Sequence, residues 1–170
     1  MAELFVNKVA ESGLVTLDLE ALGGKFEWMV FDLKPFLFME LILKEKDFRE
    51  ALGVHDWHQY QGKLVSVFCS ADAIIPMWAY MLIGSFLQPV AAGVLFGSPE
   101  VARQQWLLEK VNDLDANEYA GKRVVIKGCG DEPVAEGVYL AATEKLLSVA
   151  KSIMYGEPCS TVPIFKQKAS

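Results

Sequence analysis

The sequence is poor in cysteine and histidine, with three cysteines and two histidines in 170 residues. Cys69, Cys129 and Cys159 form an odd set, spaced 60 and 30 residues apart, and this spacing is not that of a compact disulfide framework. A chain of this length removes roughly 70% of its unfolded surface from water, so its core needs no covalent staples. Nothing at the N-terminus resembles a secretory signal. We therefore expect a cytoplasmic protein whose cysteines are thiols or metal ligands.

The sequence also lacks clusters of basic residues. Its formal net charge is −6, whereas nucleic-acid binding takes most of its affinity from grouped lysine and arginine. Neither GxxxxGK[ST] nor GxGxxG occurs, so no loop has the spacing with which backbone N–H groups hold a phosphate. These absences argue against nucleic acids and nucleotides as partners.

One long stretch, residues 73–99, contains no charged side chain. An apolar stretch of about 20 residues can span a bilayer. Here proline, glycine and glutamine interrupt it at positions 76, 84, 88, 89 and 93. The longest helix that it can form, Ile75 to Gln88, has the length of a buried core helix. We therefore predict a core helix and no membrane partner.

Short valine-rich runs separated by helical segments predict an α/β fold. The runs are Leu64 to Cys69, Val94 to Phe96 and Val124 to Ile126. They are typical of parallel strands that are covered on both faces. We predict a single domain over residues 1–170, with a mainly parallel central sheet flanked by helices. The α/β part is expected at about residues 61–170.

The N-terminal part, about residues 1–60, has a different pattern. Leu14 to Glu20 and Lys25 to Leu33 both alternate apolar and polar residues, and Gly23-Gly24 lies between them. Two alternating runs joined by a glycine turn predict a β-hairpin, added at the N-terminal side of the sheet.

Two of the cysteines directly follow predicted strands. Cys69 ends the run LVSVFC, Cys129 ends the run VVIKGC, and a predicted helix follows each. Both would lie at the carboxyl edge of a parallel sheet, where open α/β folds place their sites. Cys159 follows the last predicted helix, Ala135 to Ile153, which would end at the opposite edge. Cys159 can join the others only if YGEPCSTVP runs back along the sheet as an extended segment, which its two prolines favour, or if a second subunit supplies it.

The first hypothesis is a zinc or iron–sulfur site built from Cys69, Cys129 and Cys159. Such sites usually take four ligands, so one more is needed unless a position stays open. His58 and Asp72 are the first candidates for it. The others are His55, Asp131 and Glu157. The chain has no CxxC pair, the strongest local metal signature.

Two alternatives remain open. In the first alternative, the chain is a thiol-based enzyme, with Cys129 or Cys69 as nucleophile and His58 as base. Otherwise it is a non-catalytic binding or scaffold protein in which the thiols are buried structural groups. Trp106 points away from the apolar stripe of its helix and lies either on a loop or in a subunit contact, so a homodimer is a further expectation.

Several long runs of the sequence resemble a known family. They are VTLDLE, LILKEKDFREAL, CSADAIIPMWAYM, VIKGC and AKSIMYGEPCSTVP. They are similar to a bacterial family, mostly from Bacteroidetes, known as domain of unknown function 2480. The family has no assigned reaction, so the resemblance implies no catalytic residue, but all three cysteines fall inside the similar runs. Members tend to be encoded near iron–sulfur cluster assembly genes, so the resemblance implies metal handling, with iron–sulfur assembly proteins as partners.

Overall fold

The computed structural model describes residues 13–128 and 130–168. The strands are β1 (Leu14–Asp18), β2 (Trp28–Asp32), β3 (Leu64–Phe68), β4 (Gly93–Phe96), β5 (Arg123–Lys127), β6 (Ser152–Glu157) and β7 (Ser160–Lys166). The helices are α1 (Leu19–Leu22), α2 (Glu45–Val54), α3 (Met77–Leu87), α4 (Pro99–Asp113) and α5 (Glu136–Leu147). Short 3₁₀ helices lie at Lys34–Phe36, Trp57–Tyr60 and Ala116–Tyr119.

The strands form two sheets. Sheet A has the order β1-β5-β6-β7, and sheet B has the order β2-β3-β4. Every pairing is parallel except that of β6 with β7. The predicted α/β fold, with mainly parallel strands flanked by helices, is therefore confirmed, but the strands lie in two sheets instead of one central sheet.

The chain divides into two compact units. The continuous unit is Lys25–Gln105 and contains sheet B. The split unit consists of the described residues up to Gly24 and those from Trp106 onward, and it contains sheet A. The boundary between the units falls inside α4. The sequence predicts that residues 1–170 fold as a single domain, and this stays a prediction.

The predicted N-terminal hairpin is wrong, because its two strands pair elsewhere. β1 pairs in parallel with β5, from Leu14↔Arg123 to Asp18↔Lys127, and β2 pairs in parallel with β3. Residues Leu19–Leu22 form a helical turn, whose N-cap Asp18 accepts a hydrogen bond from Ala21 N at 3.0 Å. A helical turn in place of a tight reversal leaves each strand to pair with a buried valine-rich strand further along the chain.

The last helix is shorter than the sequence pattern predicts. α5 ends at Leu147, and Ser152–Glu157 forms β6. Ala150 and Ile153 are both buried, so the apolar spacing of the helix continues through the turn and into the strand. Helical and strand spacing overlap over such a short junction, which explains the error.

An aromatic cluster forms the core of the continuous unit. Phe31 of β2 stacks on Phe36 and Trp57, with ring centroids 5.4 and 5.6 Å apart, and Trp57 stacks on Phe86 of α3 at 4.8 Å. The ring of His55 lies among them, with its Nε2 3.1 Å from Oη of Tyr60. Such ring pairs add roughly 0.5–1.5 kcal/mol beyond the burial of their area.

Aliphatic side chains form the core of the split unit. Leu17 of β1, Val124 and Ile126 of β5 and Ala142 and Leu146 of α5 are all buried in one cluster. Trp106 lies on the loop after α1, where its Nε1 donates a hydrogen bond to Gly23 O at 2.8 Å. In the described part of the chain, no helix has the length and apolar character that a bilayer crossing needs.

The two units repeat one architecture. Residues 56–97 and 115–156 align without a gap, each position having its counterpart 59 residues later. Equivalent elements are the 3₁₀ helices Trp57–Tyr60 and Ala116–Tyr119, strands β3 and β5, helices α3 and α5, and strands β4 and β6. Identical residues include the pairs Asp56/Asp115, Tyr60/Tyr119, Gly62/Gly121, Lys63/Lys122, Asp72/Asp131, Tyr80/Tyr139 and Gly97/Gly156. The chain is thus an internal duplication, in which β2 and β1 supply the first strand of each sheet.

The repeated glycines have equivalent backbone conformations in the two units. Gly62 and Gly121 have φ of 69° and 66°, and their N–H groups donate to Val90 O and Val149 O at 2.9 and 2.8 Å. Gly97, directly after β4, and Gly156, inside β6, have φ of 123° and 119°. Residues with a side chain rarely adopt these φ angles, so these positions favour glycine.

Alanine at Gly97 or Gly156 should destabilise the protein. A Cβ at position 97 would lie 2.7 Å from Cγ1 of Val101, and one at position 156 would lie 2.6 Å from Ser160 O. Together with the positive φ, each substitution should lower the free energy of unfolding by about 2 kcal/mol or more, measured by urea denaturation. Gly53→Ala and Gly137→Ala are the controls, because these helical positions have room for a methyl group and should gain about 0.5–1 kcal/mol. Equal effects in both sets would contradict the argument.

His55 should make stability fall in mild acid. Burial lowers the pKa of His55, and the Asp56 carboxylate opposes this only in part. As the pH falls below about 6.5, the unfolded chain takes up a proton that the folded chain resists, so stability present above that pH is lost. Unfolding curves at about pH 7.5 and about pH 5.5 measure this loss. His55→Gln should abolish it, whereas His58→Gln, at the exposed second histidine, should retain it.

Candidate functional site

Three charged side chains meet at the carboxyl edge of sheet A. Here β1 ends at Asp18, β5 at Lys127 and β6 at Glu157. Nζ of Lys127 lies 3.4 Å from Oδ2 of Asp18 and 3.7 Å from Oε2 of Glu157. Glu157, and after it Asp18, raises the pKa of the Lys127 ammonium. A lysine that stays positive thus holds two carboxylates at the ends of neighbouring strands.

Glu20 supports the loop between β5 and α5. Its Oε1 accepts hydrogen bonds from the backbone N–H of Asp131 at 3.2 Å and of Glu132 at 3.3 Å. Gly130 lies so close that a Cβ there would overlap the Glu20 carboxylate. Glycine at position 130 therefore permits this loop to lie against Glu20.

A second glycine brings a tyrosine to the same loop. A Cβ at Gly128 would overlap Oη of Tyr139 from α5, and the Tyr139 ring contacts Tyr155 of β6 edge-on at 5.7 Å. Gly128 and Gly130 flank Cys129, which lies outside the described residues. Gly128 thus lies against the Tyr139 hydroxyl, and Gly130 lies against the Glu20 carboxylate.

Cys159 lies in the turn between β6 and β7. Glu157 pairs with Ser160, so Pro158 and Cys159 form the two-residue connection, and the thiol is exposed. β6 runs parallel to β5, which means that the chain returns along the sheet to its carboxyl edge after α5. The chain therefore runs back along the sheet in β6, and the segment YGEPCSTVP contains the turn from β6 into β7.

Cys69 follows β3 at the carboxyl edge of sheet B in the continuous unit. It is partly buried and packs against the hydrophobic core of the continuous unit. Burial raises the pKa of Tyr80, and the neighbouring Cys69 adds to the rise. The next residue, Ser70, donates from its backbone N–H and its hydroxyl to the Asp32 carboxylate, at 2.9 and 2.5 Å.

Asp32 is a structural acid of this edge. Burial raises the pKa of its carboxyl, but the hydrogen bonds from Ser70 and from the backbone N–H of Lys34 outweigh burial, so the pKa lies below its usual value. Both oxygens are used to join the end of β2 to the end of β3. Asp32 therefore stabilises the edge and stays ionised.

The predicted partners of Cys69 lie at different places in the continuous unit. Asp72 is exposed in the loop after β3, at the same edge as Cys69. His58 precedes β3, whose five residues span about 16 Å, so the strand separates His58 from Cys69. This topology disfavours His58 both as a shared metal ligand of Cys69 and as the base of a Cys69 nucleophile.

The three-cysteine site stays a prediction. Among residues 13–128 and 130–168, no three histidine, cysteine, aspartate or glutamate side chains gather as metal ligands. Cys129 lies outside these residues, and Cys69 belongs to a different unit from Cys129 and Cys159.

Sequence reasoning missed two features of these edges. The first is the duplication, whose signal is the pattern DxxxYxGK at residues 56–63 and again at 115–122. The second is the support that Glu20 gives to the loop after β5, more than a hundred residues later in the chain. Only tertiary structure shows that contact.

These observations define a duplicated, mostly parallel α/β protein whose polar groups collect where the strands end. The chain belongs to the DUF2480 family, described as a protein of unknown function, whose model matches residues 3–167. The resemblance found in the sequence is thereby confirmed. No curated protein and no solved structure matches the chain.

The two described thiols should react at different rates. Cys159 is exposed, whereas Cys69 is partly buried against the hydrophobic core of the continuous unit. In a Cys129→Ser variant treated with a chelator, a maleimide should modify Cys159 at least about tenfold faster than Cys69. Peptide mass spectrometry over a time course identifies the site, and modification of Cys69 first would contradict the structure of this edge.

Proposed function

We propose that the protein is a cytoplasmic metal- or iron–sulfur-binding protein that uses cysteine thiolates and assists iron–sulfur cluster assembly. One observation carries the proposal. Because β6 returns the chain to the carboxyl edge of sheet A, the turn that contains Cys159 leaves the strand next to β5, and the loop after β5 contains Cys129. Thiolates are the ligands that zinc and iron–sulfur clusters favour most.

The strand spacing is compatible with a shared site. The last parallel pair of β5 and β6 is Ile126↔Tyr155. Cys129 comes three residues after Ile126, and Cys159 comes four residues after Tyr155. Neighbouring strands lie about 4.8 Å apart, and two sulfurs on one zinc, each about 2.3 Å from it, lie about 4 Å apart.

Carboxylates supply the further ligands in this proposal. Asp131 and Glu157 are exposed and lie in or beside the same two connections. Zinc accepts aspartate and glutamate oxygens as well as thiolates. Because Glu157 is paired with Lys127, a metal has to compete with that ammonium for the carboxylate. Substitution of Cys69 tests whether the site needs a third thiolate.

Metal content after purification without oxygen tests the proposal. We expect the protein to carry zinc, or to show the visible absorption of an iron–sulfur cluster, at a defined ratio of metal to chain. Cys129→Ser and Cys159→Ser should each reduce that content at least about tenfold. Cys69→Ser is the matched control and should retain the metal, since a serine there leaves the carboxyl edge of sheet A unchanged.

The other outcomes assign the alternatives. Loss of metal in Cys69→Ser as well would identify a site that requires all three thiolates. A metal-free protein with one thiol that reacts rapidly at neutral pH would replace the proposal with a thiol-based enzyme. A metal-free protein whose three variants behave like the wild type would leave a non-catalytic binding or scaffold protein.

A further inference from the structure

The internal duplication permits a comparison of two equivalent helices, α3 and α5. Four exposed positions of one helix segment have exposed counterparts 59 residues away in the other. In α5, these positions are Glu136, Leu140, Glu144 and Leu147. In α3 and the residue after it, they are Met77, Met81, Ser85 and Gln88. The same place in the same architecture thus carries two carboxylates in one unit and no charge in the other.

The exposed face of α3 is apolar and continues beyond the helix. Met77 and Met81 are 72% and 75% exposed, and Ile74, just before the helix, is 93% exposed. Phe96 of β4, 60% exposed, contacts the edge of the Tyr80 ring at 5.3 Å. We call Ile74, Met77, Met81, Ser85 and Phe96 the α3 patch.

The α3 patch is large enough for a specific interface. Its apolar side chains expose on the order of 500 Å² per chain, at the upper end of what monomers leave open. Two such patches in contact bury on the order of 1,000 Å², about the lower limit for a specific protein–protein interface. We propose that the α3 patch is the contact surface of a homodimer, and that its occupant is the α3 patch of a second copy.

Charge favours a second copy over other occupants. The chain carries a net charge of −6, so the repulsion between two copies is smallest where the contact surface carries no charge, and residues 73–99 are an uncharged stretch. A membrane-surface helix carries lysine or arginine on its flanks to contact anionic lipids, and this stretch carries neither. A charged peptide would find no complementary group on the patch.

The order of side-chain sizes along α3 also suits packing against a second copy. Met77 and Met81 project from the helix, and the small residues Gly84 and Ser85 follow one turn later, with open space around Gly84. If two copies of α3 pack antiparallel about a two-fold axis at Met81, the Met77 end of each helix faces the Ser85 end of the other. Methionine suits such a surface, because its unbranched side chain fills irregular gaps.

Sedimentation equilibrium of the full chain, over a concentration series, tests the dimer. The wild type should have twice the mass of the 18.9 kDa chain. The double variant Met77→Glu, Ser85→Glu gives α3 the carboxylates that α5 has at the equivalent positions. It should weaken dimerisation at least about thirtyfold, because each glutamate would be buried without a partner. The far-ultraviolet circular dichroism spectrum should match that of the wild type, since both positions are exposed.

Leu140→Glu is the matched control. Leu140 is the counterpart of Met81 and is 72% exposed on α5, so the variant changes an equally exposed apolar residue outside the α3 patch and should remain dimeric. A monomeric wild type would overturn the proposal, as would a double variant that stays dimeric or a Leu140→Glu variant that dissociates. Sedimentation of a monomeric wild type with neutral phosphatidylcholine vesicles, lost in the double variant, would assign the patch to lipid instead. The cysteines lie outside the patch, so this test is independent of the proposed metal site.

Discussion

Parallel strand pairing is the constraint on which the rest of this structure depends. A parallel pair cannot be closed by a tight turn, so each pairing needs a crossover, which here is a helix or a longer segment. β2 pairs with β3 across α2, whereas β1 pairs with β5 across most of the chain. One consequence is that the ends of β1, β5 and β6 meet at one edge. This explains why Asp18, Lys127 and Glu157 form a cluster although they are far apart in sequence.

Comparison of the two units distinguishes the residues that both copies of the architecture share from those that differ between the carboxyl edges of sheets A and B. Both units have the tyrosine, Tyr80 or Tyr139. The Tyr80 ring contacts Phe96 of β4, and the Tyr139 ring contacts Tyr155 of β6, the strand equivalent to β4. The residue after the middle strand differs. The split unit has Gly128, where a Cβ would overlap the tyrosine hydroxyl, and the continuous unit has Cys69 at the equivalent position. The two edges thus carry different chemistry on the same backbone plan.

The sequence predicted the elements whose pattern is local. β3, β4 and β5 are short valine-rich runs, and their burial on both faces produces that composition directly. Pairing partners are not local, so the alternation in β1 and β2 identified strands but assigned them to a hairpin. β6 was missed because Ile153 continues the apolar spacing of α5 across the turn. For the candidate site, the edge position of Cys69 follows from the local strand pattern. The return of the chain towards Cys159 depends on β6, and the Glu20 contact depends on which strand lies beside β5.

A single buried polar residue shows how the two units accommodate different endings. Ser66, in the middle of β3, is the buried polar residue of this core, and its hydroxyl donates to Gly97 O at 2.9 Å. Its counterpart in β5 is Val125, which is equally buried. The difference follows from what comes after the third strand position. β4 ends at Phe96 and the chain enters α4 directly, so the carbonyl of Gly97 takes its hydrogen bond from a side chain. In the split unit, Gly156 lies inside a ladder and pairs with Thr161 of β7. Since an unpaired buried carbonyl costs about 1–3 kcal/mol, the Ser66 hydroxyl stabilises the end of sheet B, whereas in sheet A a further strand, β7, pairs with β6 beside the buried Val125.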